Sequence, residues 1–217
     1  MDWRVSKKRK RETSDKANDD DEEQSGFPLL PMMLPKLHNT TVYSQNNKVY
    51  FNDDVTYETC FQLNRELRIV AERMKLLAVM QGVDPTPIYL HITTNGGAIH
   101  AAFTVIDCMQ QLGVPVYTVV DGFVASAGTL ISICGDKRFM LPNAYMLIHE
   151  LRSEVWGKMT DIEEEIKNLK KIMTHLLSIY TKHTRLTATQ LDKILKKDAI
   201  WDAEECLSKG LIDEVKK

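Results

Sequence analysis

Three short, nearly continuous apolar runs constrain this chain most: Ile88 to Ile92, Val116 to Val120, and Tyr145 to Ile148. A strand apolar on both faces must be covered on both faces. Parallel sheets meet that need, because their crossover helices pack on each side. The intervening segments have helical spacing. Leu63, Leu67, Val70, Ala71, Met74 and Leu77 predict a helix from Tyr57 to Met80, closed by Gly82, Pro85 and Pro87. Further helices are predicted for Ala98–Leu112, ended by Gly113, and for Ala127–Cys134, ended by Gly135. Ile162, Ile166, Leu169, Ile172, Met173, Leu176 and Ile179 mark a long helix from Asp161 to about Lys182, with Thr160 as its cap and Glu163 completing a capping box. Thr187–Leu195 is another helix, and Asp202 with Glu205 opens the last one. Val49–Phe51 is a short strand ending in the turn Asn52–Asp54, and Asp121-Gly122 is predicted to be a turn. This alternation predicts the α/β class.

The length of 217 residues suits one main domain with tails. Residues 1–26 are a charged tail, with basic Lys7–Arg11 and acidic Asp19–Glu23 blocks and no apolar face to bury, so disorder is expected. The basic block has the form of a nuclear address, though a solvated tail is the plainer reading. Residues 27–47 begin apolar and rich in proline, which forbids a regular helix there. The alternating elements fill 48–217. A net charge of −2 argues against a nucleic-acid binder. No apolar stretch approaches the ~18 residues of a membrane span, and the first residues lack the apolar core of a secretory signal. Cys60, Cys108, Cys134 and Cys206 are too scattered to suggest zinc. Unpaired thiols fit a reducing compartment, so a cytoplasmic location is expected.

Four features bear on chemistry, and each has a plain alternative. Gly122-Phe-Val-Ala-Ser126-Ala-Gly128 puts a serine between a strand and a helix, where free backbone N–H groups can hold negative charge. Capping a helix is the commoner use of such a serine. Asn95-Gly96-Gly97 allows close backbone approach, as an oxyanion donor or as an ordinary turn. His149 ends an apolar strand, where it can serve as a general base or simply be a hydrogen-bonded structural histidine. Asp198 precedes the apolar Ile200-Trp201 and can orient a histidine or sit in a turn.

Taken together, these segments resemble the proteolytic subunit of the Clp protease. Ile88-Tyr-Leu-His-Ile-Thr-Thr-Asn-Gly-Gly97 is similar to the family's strand and glycine turn. The segment around Ser126 matches its Gly-x-x-Ala-Ser-x-Gly. Lys137-Arg-Phe-Met-Leu-Pro-Asn143 and Met146–His149 match the stretch bearing its histidine, and Asp198–Glu205 with Gly210–Asp213 the stretch bearing its aspartate.

The resemblance implies a crotonase-like spiral of ββα units with an extended handle helix. It implies that Ser126, His149 and Asp198 form a catalytic triad, with Gly97 and Ala127 N–H groups as the oxyanion hole. It implies a serine endopeptidase with no metal or cofactor of its own, stacked in heptameric rings and fed unfolded polypeptide by an AAA+ unfoldase that uses ATP. Glu150-Leu-Arg-Ser-Glu154 departs from the family's Gln-Pro and glycine pair, and Lys197 stands where arginine is usual. A non-catalytic ring subunit and a crotonase-type acyl-CoA enzyme are the rival expectations.

Overall fold

A computed structural model of the chain describes residues 41–216. The expectations for residues 1–26, and for the proline-rich stretch up to residue 40, lie outside the described residues. In chain order the elements are β1 (Val42–Gln45), β2 (Lys48–Asn52), α1 (Tyr57–Gln81), β3 (Ile88–Thr94), α2 (Ile99–Gln111), β4 (Val116–Ala125), α3 (Ala127–Ile133), β5 (Lys137–Met140), β6 (Tyr145–Ile148), α4 (Met159–His183), α5 (Ala188–Leu195), β7 (Ala199–Trp201), α6 (Ala203–Lys209) and β8 (Glu214–Val215). The α/β class expected from the alternation is the class observed.

The sheet runs β1-β2-β3-β4-β5-β8, with β6 branching from β4 and β7 lying beside β6. Only β1–β2 and β6–β7 are antiparallel pairs among the described strands. β4 is the pivot. Its first half, Tyr117–Val120, pairs with β5, and its second half, Phe123–Ala125, pairs with β6. A strand can serve two neighbours in succession on one edge only if it bends. The register against β3 shifts between Ile92↔Val120 and Thr94↔Val124, which leaves extra β4 residues in a bulge.

That bulge overturns one expectation. Asp121-Gly122 is not a turn, because β4 continues through it. The Asp121 carboxylate reaches across to His91 on β3, 2.9 Å from Nδ1, which gives the bulged residue a polar partner inside the sheet. The second correction concerns α4. It starts at Met159, so Thr160 lies inside the helix. Asp161, not Glu163, closes the start by accepting the Lys158 N–H at 3.1 Å.

The core lies on both sides of β3 and β4. Leu63, Leu67, Val70 and Ala71 of α1 pack there with Ile88, Leu90 and Ile92. Burying one such side chain contributes about 1.5–3 kcal/mol. Every residue of α3 is buried, so this seven-residue helix sits inside the molecule and fixes the turn before it. Thr56 caps α1 by accepting the Thr59 N–H, and Gly82 ends it at φ 65°. Among the described residues no helix is long and apolar enough to cross a membrane. The four cysteines are free thiols. Burial pushes Cys134 and Cys206 up to about 12, far from the thiolate.

Candidate active site

Ser126 occupies the one-residue turn between β4 and α3. Its N–H donates to the Leu147 carbonyl at 2.9 Å, continuing the β4–β6 ladder past its last strand pair. Its backbone has φ 55° and ψ −125°, a left-handed conformation for a residue that bears a side chain. Although Ser126 stands at the N-cap position, its hydroxyl makes no capping hydrogen bond. The commoner explanation of a serine here therefore fails, and Ser126 lines a cavity of about 260 Å3.

The glycine turn after β3 forms the opposite wall. Gly96 has φ 93°, and a Cβ there would lie 2.5 Å from the Ser126 Cβ. Gly97 has φ 141°, and its Cβ would meet the Val55 carbonyl oxygen at 2.3 Å. Val55 grips this turn from both sides. Its N–H donates to the Gly96 carbonyl, and its carbonyl accepts the Ala98 N–H, both at 2.7 Å. Neither the Gly97 nor the Ala127 N–H meets a protein acceptor among the described residues. Gly97, Ser126 and Ala127 all line the same cavity.

His149 and Asp198 arrive through strand register. β6 and β7 pair as Met146↔Trp201, Leu147↔Ile200 and Ile148↔Ala199. One further step sets His149 opposite Asp198. His149 lines the cavity with Ser126, whereas Asp198 lies outside that lining and is exposed. The two side chains are not hydrogen-bonded to each other. His149 Nδ1 faces the Glu150 carbonyl oxygen at 2.6 Å. The Asp198 carboxylate accepts from Arg152 at 2.5 Å. Thus Ser126, His149, Gly97 and Ala127 are gathered in one cavity, while Asp198 is adjacent but engaged elsewhere.

Two residues behind the serine carry no signal in a motif. Thr129 donates from Oγ1 to the Ser126 carbonyl at 2.6 Å and also meets the Tyr180 hydroxyl. Tyr180 is wholly buried, and burial pushes its phenol far up. It ties α4 to α3 just behind the turn. Its place four residues after Leu176, on the same helical stripe, is the only hint the sequence offers. Ile99, Leu130, Leu151 and Leu176 give the cavity an apolar portion, while Asn95, Glu150 and Arg152 add polar and charged groups to the lining. No cluster of three or more metal-ligating side chains occurs among the described residues.

The branched sheet, the buried helix behind a strained serine and the facing glycine turn define an α/β scaffold of the spiral type. The chain belongs to the Clp protease family: the family model "Clp protease" matches residues 44–217. It is 33% identical over 159 residues to ATP-dependent Clp protease proteolytic subunit 2 of Treponema denticola, covering 72% of this chain and 78% of that one. It is 34% identical over 130 residues to ATP-dependent Clp protease proteolytic subunit of Deinococcus radiodurans, covering 59% of this chain and 64% of that one. The acyl-CoA enzyme reading draws no support from these likenesses.

Proposed function

We propose that this chain is the serine endopeptidase subunit of a self-compartmentalising Clp-type protease. One observation carries this reading: the Ser126 hydroxyl is not used as a helix cap, and Ser126 lines one cavity with His149, Gly97 and Ala127, the last two with backbone N–H groups that meet no protein acceptor among the described residues. Ser126 Oγ attacks the peptide carbonyl, and His149 takes its proton. The carbonyl oxygen becomes an oxyanion, held by the Gly97 and Ala127 N–H groups. A donor of this kind contributes about 10²–10³ in rate. His149 then passes the proton to the departing amine, and water resolves the acyl-enzyme by the same route in reverse. Asp198 orients the imidazole and stabilises its cation.

The chemistry asks for no metal or cofactor in this subunit. The relatives are named as ATP-dependent proteolytic subunits. On that basis an AAA+ unfoldase supplies the ATP-driven step and delivers unfolded polypeptide, and the subunits enclose the sites in stacked heptameric rings. The free thiols favour a reducing, cytoplasmic setting.

A second reading, a ring subunit without activity of its own, is favoured by the Arg152–Asp198 contact, which leaves His149 without its carboxylate. A fluorophosphonate serine label applied to the assembled full-length protein decides between them. Labelling and peptide hydrolysis that both vanish in Ser126→Ala support the peptidase. Assembled protein that takes up no label overturns it.

A further inference from the structure

The Glu150–Arg152 segment makes two contacts that keep the candidate triad apart. Its backbone carbonyl at Glu150 accepts from the imidazole edge that Asp198 would otherwise engage. Its Arg152 guanidinium takes the Asp198 carboxylate. Both contacts lie at the end of β6, where register already sets His149 beside Asp198. Arg152 also lines the Ser126 cavity, so the competition takes place at the site itself.

We propose that Arg152 is a positioning residue for peptide hydrolysis. It competes with His149 for the Asp198 carboxylate and holds the resting site below full activity. The proposal rests on the Ser126–His149–Asp198 reading above. The competition is a light one. The Arg152 and Asp198 side chains are 72% and 53% exposed, and ion pairs that open to water shift an equilibrium by about two- to five-fold at most. A contact this weak yields to salt or to any other anion that reaches Arg152. It therefore works as a brake that assembly or substrate can release, not as a block.

The test compares full-length wild type, Arg152→Gln and Arg152→Lys as assembled particles of equal size. Two quantities are read: the rate of Ser126 labelling by a fluorophosphonate, and kcat and KM on an uncharged peptide. Arg152→Gln is expected to raise labelling and kcat about two- to five-fold at low ionic strength with KM unchanged. Arg152→Lys keeps the charge and stays near wild type. Raising the salt to about 0.5 M, where exposed charges are screened, lifts wild type towards Arg152→Gln. Adding Asp198→Asn to Arg152→Gln abolishes the gain, because the effect passes through that carboxylate.

Equal or slower labelling of Arg152→Gln at every salt, with Ser126 still labelled in wild type, overturns the role of Arg152 and leaves the peptidase reading standing. A gain that persists in the Asp198→Asn background overturns it too. Absence of any Ser126-dependent labelling or hydrolysis in all variants overturns the peptidase reading and this inference with it.

Discussion

A non-glycine residue held at φ 55° costs on the order of 1–3 kcal/mol, and the surroundings of Ser126 must supply that energy. They do so through the Leu147 carbonyl, the Thr129 hydroxyl and the buried α3 helix. Gly96 and Gly97 complete the arrangement, since a side chain on either would collide with backbone or with Ser126 itself. Gly97→Ala would have to move the turn, because Val55 is fixed by its two hydrogen bonds to it. The Gly97 N–H would then leave the position of the oxyanion. Activity and Ser126 labelling are expected to fall about 10²–10³-fold, with helical circular dichroism retained. Gly82→Ala is the matched control. It also has a positive φ, 65°, but nothing lies within 4 Å of the added Cβ. It should lower stability by about 1–2 kcal/mol and leave hydrolysis unchanged. Loss of activity in both variants, or in neither, would contradict the oxyanion role of Gly97.

At the scale of elements, the long helices were legible to within two residues or so from their apolar spacing, helped at the end of α1 by Gly82. The strands β1, β5, β7 and β8 were not read: β1 and β5 lack the continuous apolar run that marks the equally short β6, and β7 and β8 are only three and two residues long. Asp121-Gly122 misled for a different reason: turn-forming residues also build bulges, and the His91 partner that stabilises this one lies thirty residues away in sequence. The order Ser126, His149, Asp198 was legible in the sequence, but the β6–β7 register that sets His149 opposite Asp198 was not, because β7 itself went unread. The Arg152–Asp198 contact was not, because a long arginine can reach many partners and no spacing encodes its choice.

Arg138 shows how the late elements are fixed to the sheet. From β5 it donates to the Gly210 carbonyl at 2.8 Å, to the His183 carbonyl, and twice to the Asp213 carboxylate. Arg138→Ala leaves those acceptors unmatched and is expected to cost about 2–3 kcal/mol in denaturant unfolding. The hydrogen bonds from Arg138 hold the Asp213 carboxyl below its ordinary value of 3.8. A carboxyl depressed in the folded state stabilises the fold above its unfolded pKa, and that stabilisation is lost as pH falls through the lower folded value. Wild type should therefore lose part of its margin over Arg138→Ala below about pH 4. A difference between the two proteins that stays constant from pH 6 to about pH 3 would rule out this linkage.

At the scale of the whole molecule, the single chain leaves much apolar surface uncovered. α4 runs for 25 residues, yet only Leu176 and Tyr180 on it are buried. Ile166 is 43% exposed and Met159 70%, while α1 shows Phe61 at 70%, Val79 at 81% and Met80 at 74%. Patches of this kind mark interfaces. Two such surfaces on different helices suit a chain that meets its own copies in two ways, as stacked rings require. The α4 surface also touches the site. Glu150 and Leu151 line both the Ser126 cavity and a second hollow of about 230 Å3 walled by Ile166, Leu169 and Met173. A partner that covers this part of α4 must press on the segment that holds His149 and Asp198 apart. Ile166→Glu combined with Leu169→Glu is therefore expected to do two things together. Particle mass in sedimentation falls by about half or more, and hydrolysis falls at least ten-fold although no residue proposed for chemistry has changed. Unfolding of the separated subunits should stay close to wild type, since both side chains lie outside the core. Unchanged mass would exclude α4 as the contact between copies. Halved mass with full activity would show instead that the segment after His149 sets its own geometry without help from assembly.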